Sequence, residues 1–290
     1  MHPLMSHLHR ACILLIAALC AARLSAADEM VSVARATLAQ AASTVVTIQG
    51  PVNLAFTAAS GQKQKQNRSI ELHATCVDPS GIFAASYSEL IPGDRIQAMF
   101  DAQNRQVHVE AVTGGLVVEF ADGSHKDADI VMNSRALDVV LVRLRDKASG
   151  LAYVDLSKAV TSVQPLDAVY VLGLATKSEN RTPMLALGRI MCSIGGPKPF
   201  YLGDVSLGGF IGCMVYSASG QALGLQVFRP LGADAADVHG ILQQSDLGVT
   251  IRPATQLIDM VKEALIAKAA PAAAPTAPTP IALPLDPVTP

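Results

Sequence analysis

The sequence carries little charge and no excess of basic residues. Charged side chains make up 16% of the 290 residues and hydrophobic residues make up 50%, so the chain can bury a large core and is not globally disordered. The 22 bases and 24 acids give a formal charge of −2, whereas binding to nucleic acid requires a surplus of Lys and Arg to neutralise phosphates. We therefore expect no nucleic-acid partner.

Cysteine is also scarce. Two of the five cysteines, Cys12 and Cys20, lie in the N-terminal apolar segment, which leaves Cys76, Cys192 and Cys213. Three thiols form at most one disulfide within a chain, so the sequence excludes a small domain built on a framework of disulfides.

Long hydrophobic runs are absent as well. The N-terminal run covers 12 residues, 11–22, against the ~20 that a membrane-spanning helix needs. It follows Arg10 in a stretch without acids and precedes small residues suited to cleavage after Ala26 or Ala27. Residues 1–27 are thus predicted to be a signal peptide, which implies a secreted or periplasmic protein without an integral membrane segment after cleavage. An uncleaved N-terminal anchor is the competing interpretation.

The C-terminal segment has the opposite composition to a folded domain. Residues 269–290 contain seven prolines in 22 residues, so neither a helix nor a sheet can run through them. We predict a Pro/Ala-rich disordered tail, either without a role or serving as an extended spacer. The block between the two ends, residues 28–268, has no proline-rich or charged linker and is predicted to be one domain.

Within that block the hydrophobic pattern mostly alternates with a period of two, which indicates β-strands. An Ala-rich helix is predicted over residues 30–43 and an amphipathic helix over Pro253–Lys268. About a dozen short strands between them favour a barrel or a sandwich, and periodicity leaves both open. The predicted strands are Thr44–Ile48, Ser69–Val77, Gly81–Ala85, Arg95–Phe100, Gln106–Val112, Gly115–Phe120, Asp129–Asn133, Val139–Leu144, Val169–Leu174, Pro183–Ile194, Ile211–Tyr216 and Ala222–Phe228.

Four segments, Cys76–Leu90, Leu137–Leu144, Gly209–Leu225 and Gly248–Val261, carry a resemblance to a known family. They resemble four parts of trypsin-like serine proteases of the HtrA type. In order, these parts are the strands that lead into the catalytic histidine, the strand that follows the catalytic aspartate, the nucleophile loop with the strands after it, and the last strand with the C-terminal helix. The resemblance implies a mainly β fold, two six-stranded antiparallel β-barrels with a short N-terminal and a C-terminal helix. It also implies an active site in the cleft between the barrels.

The catalytic triad that the resemblance implies is degenerate. Acyl transfer in this family needs a hydroxyl nucleophile, an imidazole base and a carboxylate that orients the imidazole. The imidazole position falls on Ser88, the carboxylate position on Asp138 and the nucleophile position on Ile211. A serine hydroxyl is too weak a base near neutral pH, and isoleucine has no nucleophilic atom. We therefore expect no intact catalytic residues.

The loop that forms the oxyanion hole in this family also departs from its pattern. Gly209 and Gly212 remain, but Cys213 and Met214 stand where the family has glycine and proline. Aligning the loop two residues further on would make Cys213 a candidate nucleophile, but the required glycine would then be Met214. We interpret Cys213 as a small buried hydrophobic residue.

No other residues form a convincing site. His73 is predicted on a strand face, and His108, His125 and His239 are predicted on the surface or in loops. Asp127 and Asp129 lack further metal ligands, the glycines of residues 203–212 lack the Lys-Ser/Thr of a phosphate loop, and Lys63–Arg68 is interpreted as a solvated hairpin tip. We expect no cofactor and no metal.

Two functions from different classes follow. The first is a secreted, inactive trypsin-like protein that binds or scaffolds a protein or peptide partner through its cleft and strand edges. The second is an active serine or cysteine endopeptidase with a displaced triad. A histidine within hydrogen-bond reach of Asp138 favours the enzyme, and a cavity that is apolar or lined by Ser88 favours the binding protein.

Overall fold

The computed structural model describes residues 29–204, 209–229 and 248–267. The predicted signal peptide, the Pro/Ala-rich tail and His239 lie outside this part of the chain. The described chain begins with a helix, α1, over residues 29–41, which continues into a 3-10 turn at Ala42–Thr44. The predicted N-terminal helix is thereby confirmed.

The first barrel is built from the N-terminal half of the chain. Six strands pair in the closed order β1-β2-β3-β7-β6-β5. A seventh strand, β4, pairs with the C-terminal half of β1, Val52–Ala58. All strand pairs are antiparallel, so consecutive strands can be joined by short turns. The strands are β1 (Val45–Ala58), β2 (Lys63–Asp78), β3 (Ile82–Ser86), β4 (Val107–Thr113), β5 (Leu116–Glu119), β6 (His125–Ser134) and β7 (Val139–Leu144).

The second barrel comes from the C-terminal half and is closed in the order β10-β13-β12-β11-β8-β9. Closure leaves no free edge along the ring. Together the two barrels confirm the predicted fold class of two six-stranded antiparallel barrels. The strands are β8 (Ala168–Leu174), β9 (Pro183–Ile194), β10 (Phe200–Gly203), β11 (Met214–Ser217), β12 (Ala222–Phe228) and β13 (Val249–Pro253).

Strand β7 shows why the central strands are apolar on both faces. Val140 and Val142 point into the core of the first barrel, whereas Val139 and Leu141 belong to a larger cluster that includes the core of the second barrel. Side chains alternate between the two faces of a strand, so a strand buried on both sides is apolar at most of its positions. Arg143 is the exception in β7, and its guanidinium donates to the carbonyls of Ala264 and Ala267. The two barrels therefore share a continuous hydrophobic interface.

The C-terminal helix, α4, covers one side of this interface. It spans Thr255–Ile266 and buries Leu257, Val261 and Ala264 along one stripe, as expected for an amphipathic helix. The helix is shorter than predicted at its start because Pro253 is the last residue of β13.

An ion-pair cluster also joins the two barrels. Arg181 follows β8 in the turn before β9 and reaches the first barrel, where its guanidinium lies 2.6 Å from Glu71 and 3.4 Å from Glu119. Gln49 donates to the same Glu119 oxygen. Arg181 is 8% exposed and has a positive φ of 51°, a conformation that costs energy in residues with a side chain. The pairing with Glu71 and Glu119 holds that turn against β2 and β5.

One predicted strand is wrong. Arg95–Phe100 lies in a helix, α3 (Gly93–Ala102), which is preceded by a single helical turn, α2 (Tyr87–Leu90). Gln97 of α3 bonds the backbone of Val107 and Val109 on β4, and Phe100 packs edge-on against Phe56 of β1. The short apolar pattern of this segment fits a strand as well as a helix. The tertiary contacts favour the helix.

The interpretation of Lys63–Arg68 as a hairpin tip is also wrong. These residues belong to β2, which pairs with β1 from Val45 opposite Thr75 to Thr57 opposite Lys63. The turn is formed by the four residues 59–62. The hairpin is therefore longer than predicted, and its far half extends beyond the barrel.

Candidate functional site

Asp138 is buried at the junction of the two barrels. It precedes β7, is 1% exposed, and adopts a left-handed backbone with a φ of 57°. Left-handed backbone is uncommon outside glycine, although Asp tolerates it better than most residues. The Asp138 carbonyl accepts a hydrogen bond of 3.0 Å from the Tyr87 N–H, so the residue is tied to the start of α2.

Four donors satisfy the Asp138 carboxylate. Ser88 donates from both its hydroxyl (2.5 Å) and its backbone N–H (2.8 Å) to Oδ1. The Ser86 hydroxyl (2.6 Å) and the backbone N–H of Phe228 (2.8 Å) donate to Oδ2. Burial raises the pKa of Asp138, and the four hydrogen bonds counteract that rise because they favour the charged form. The structure therefore brings Ser88 and Asp138 together.

No described histidine bonds to Asp138. His73 lies on β2, as predicted, where burial lowers the pKa of its imidazole and the backbone of Leu174 opposes that change. His108 and His125 are exposed on β4 and β6. Within the described ranges the Asp138 carboxylate therefore orients serine hydroxyls rather than an imidazole.

The segment aligned with the nucleophile is a tightly packed turn. Ile211 is 7% exposed and belongs to the turn before β11 rather than to a strand, which corrects the predicted start of that strand. The N–H of Gly212 donates to the Gln226 carbonyl (2.8 Å), and the Gly212 carbonyl accepts from the Thr75 hydroxyl (3.1 Å). These two bonds tie the turn to β12 in its own barrel and to β2 in the other.

Gly212 is required by this arrangement. Its φ is 78°, and a Cβ atom at this position would lie 2.1 Å from the carbonyl oxygen of His73. Only glycine has both the conformational freedom and the absence of a side chain that this close approach needs. A Cβ atom at Gly209, by contrast, would meet no atom of the described residues within 4 Å.

Cys213 is fully buried beside this turn. Burial raises the pKa of its thiol far above the ordinary value of 9.0, so the thiol stays protonated near neutral pH and is a poor nucleophile. Its N–H bonds the carbonyl of Phe210. Cys76, Cys192 and Cys213 are all free thiols.

Glu89 is a site residue that the sequence analysis missed. Burial raises its pKa to about 7, with a further contribution from the nearby charge of Asp138, while Arg95 opposes the rise. Its Oε2 atom is buried and has no hydrogen-bond partner among the described residues. The only signal available in the sequence was its position directly after Ser88.

Arg95 closes the same region from α3. Its guanidinium carbon lies 3.5 Å from the centre of the Phe228 ring, a cation–π contact. Burial lowers its pKa, and the charges of Asp138 and Glu89 oppose that change. Two carboxyl groups and one guanidinium therefore lie together at the junction.

The remaining candidate ligands do not form a site. Asp127 and Asp129 both pair with Arg145, and the described residues contain no group of three or more side chains suited to a metal ion. No helix in the described chain combines the length and the apolar character that crossing a membrane requires.

The two closed six-stranded antiparallel barrels have the trypsin-like fold, as a comparison with solved structures shows. An HtrA-type protease AlgWS227A solved with a tripeptide is similar over 80% of this chain, with 12% identity and a TM-score of 0.50, and this chain spans 64% of it. The crystal structure of Deg5 is similar over 81% of this chain and 95% of its own, also with 12% identity and a TM-score of 0.50. No family model matches this chain, and no curated protein does.

Proposed function

We propose that this protein is a catalytically inactive member of the trypsin-like fold that binds a protein or peptide partner instead of cleaving it. The observation that carries the proposal is that four hydrogen-bond donors already bind the Asp138 carboxylate. Its oxygens accept from Ser86, from Ser88 and from the Phe228 N–H, so the carboxylate has no free position at which to orient an imidazole.

The chemistry of the aligned positions supports the same proposal. A general base must accept a proton from the nucleophile, but the Ser88 hydroxyl already donates its proton to Asp138. The nucleophile position holds Ile211, which is buried in a turn bonded to both barrels. We further propose that the protein is exported, on the basis of the signal peptide predicted over residues 1–27.

An endopeptidase with a displaced site is the competing function. Glu89 favours it, because a carboxyl group with a pKa of about 7 can act as a general base near neutral pH. The proposal of inactivity is nevertheless better supported, since Cys213 is fully buried with a protonated thiol and the Glu89 Oε2 atom bonds no hydroxyl within the described ranges.

The test is hydrolysis and active-site labelling of the purified protein lacking residues 1–27. We expect no turnover of casein or of a peptide ester and no labelling by a fluorophosphonate, with an active HtrA-type protease as the positive control. Glu89→Gln and Cys213→Ser variants are measured in parallel. Stoichiometric labelling of a serine at neutral pH, or turnover that Glu89→Gln or Cys213→Ser abolishes, would establish a displaced active site and overturn the proposal.

A further inference from the structure

The N-terminal part of β2, Lys63–Ser69, forms an open strand edge. On one side, Lys63–Ser69 pairs with β1. On the other side, the pairing of β2 with β3 starts only at Thr75, so no described strand lies beside Lys63–Ser69. All seven of these residues are exposed. An unpaired edge presents backbone donors and acceptors on which a further strand can assemble.

The hydrogen-bond pattern of the hairpin identifies the groups that point outward. The N–H of Ala58 donates to the carbonyl of Gln62, so the even-numbered residues of this hairpin bond across the β1–β2 ladder and the odd-numbered ones face away. On the other side of the hairpin, the N–H of Ala59 bonds the Gln106 carbonyl, which agrees with this alternation. The N–H and C=O groups of Lys63, Lys65, Asn67 and Ser69 therefore point away from β1, toward the side on which no described strand lies.

The charge of this edge is of one sign. Lys63, Lys65 and Arg68 lie within Lys63–Ser69, and no acidic residue interrupts them. Their direct cross-strand neighbours on β1 are Thr57, Ala55 and Val52, which carry no charge. None of these three bases forms an ion pair in the described part of the chain. The ion pairs found there involve other basic residues: His108, Arg135, Arg145, Lys158, Arg181 and Lys262.

We propose that the outer edge of Lys63–Ser69 binds an extended peptide with alternating acidic side chains, which adds to β2 as a further strand. This inference rests on the proposed function, because it assigns the chemistry of the partner. Backbone pairing supplies affinity in such complexes, and side chains on alternate positions supply specificity. A second copy of the chain is disfavoured as the partner because it would place the same bases against each other.

The test measures binding of two synthetic peptides, Thr-Glu-Val-Glu-Thr-Glu-Val and its counterpart with Lys in place of Glu, by fluorescence anisotropy. The full chain is used at ~0.01 M and at ~1 M ionic strength, where the Debye length is ~30 Å and ~3 Å. We expect the Glu peptide to bind at low ionic strength and to weaken strongly at high ionic strength. The Lys peptide is expected not to bind. Hydrogen exchange of the Lys63, Lys65 and Asn67 amides should slow on binding.

A matched pair of variants at Asn67 isolates the strand pairing. Proline removes an outward N–H and places its ring in the path of the partner, while the inward bonds of the neighbouring residues remain. We expect Asn67→Pro to abolish binding and Asn67→Ala to retain it, with unchanged circular dichroism for both. The Lys63→Gln, Lys65→Gln double variant should weaken binding by about two- to thirtyfold, the range for two exposed ion pairs.

Three results would overturn this inference. They are equal binding of both peptides, binding by Asn67→Pro as tight as by Asn67→Ala, and no binding of the Glu peptide at low ionic strength. Each is distinct from failure of the proposed function. Absence of both binding and fluorophosphonate labelling overturns only the edge proposal, whereas labelling of a serine overturns inactivity whatever the peptide does.

Discussion

Glu89 should make the stability of the protein fall as the pH rises from about 4.5 to about 7. Its carboxyl group has an ordinary pKa of 4.5 and a pKa of about 7 in the folded protein, chiefly because of burial. Between these values the folded state keeps a proton that the unfolded state has lost. The stabilisation is therefore complete below pH 4.5 and is lost as the pH passes through the folded pKa.

The size of the effect follows from the two pKa values. Their difference of about 2.5 corresponds to about 3 kcal/mol at ~1.4 kcal/mol for each pKa unit. Glutamine has nearly the same shape as glutamate and does not ionise. We therefore expect Glu89→Gln to be close to the parent in stability near pH 4 and more stable by about 3 kcal/mol at pH ~8.

Urea unfolding at a series of pH values measures this difference. At each pH, the free energy of unfolding of Glu89→Gln is subtracted from that of the parent. The difference is used because Asp138, His73 and Glu71 also have shifted pKa values and contribute to the pH dependence of both proteins. Glu263→Gln is the matched control, since Glu263 is exposed on α4. Parallel profiles for the parent and Glu89→Gln would refute the argument that burial holds the Glu89 proton.

Three other changes test the packing and the candidate site. Ile211→Ser should cost ~1–3 kcal/mol in urea unfolding without creating activity, because it removes a buried apolar side chain; unchanged stability would place residue 211 on the surface. Arg181→Ala should cost about 3 kcal/mol because it leaves Glu119 buried without its ion pair, and adding Glu119→Gln should recover part of the loss, whereas additive losses would contradict the pairing. Ser88→His with Ile211→Ser should give at most trace turnover of a peptide ester, because Asp138 would regain an imidazole while the loop at residue 211 stays bonded to both barrels; robust turnover would show that only two side chains prevent catalysis.

Much of the fold was predictable because the barrel strands carry local signals. β7 was predicted at its observed bounds, Val139–Leu144, since five of its six residues are apolar, which fits a strand buried on both faces. The segment 95–100 was not predictable, because its helix depends on contacts with β1 and β4 that are distant in sequence. The length of β2 was missed for a related reason. Its far half is polar and exposed, so it lacks the alternation that marks a strand.

The site was predictable in part. The family resemblance aligned Ser88 and Asp138 with two positions that act together, and the structure places the Ser88 hydroxyl 2.5 Å from the Asp138 carboxylate. Ser86 and Glu89 were missed because the family resemblance assigned neither of them a catalytic role, and the Phe228 N–H was missed because backbone donors leave no trace in a sequence. The surroundings of the carboxylate depend on how the strand ends meet, which only the folded chain defines.

These contacts give Asp138 a structural role at the junction of the barrels. The residue is buried, and a buried carboxylate is tolerated only when its oxygens are hydrogen-bonded. Ser88 donates to the carboxylate from its hydroxyl and its backbone N–H, and the Ser86 hydroxyl adds another bond. The same carboxylate satisfies the backbone N–H groups of Ser88 and Phe228, which belong to different barrels, so replacing Asp138 by an apolar residue would leave both N–H groups without their acceptor. The aspartate therefore holds the barrels together at their junction, and this structural role does not depend on catalysis.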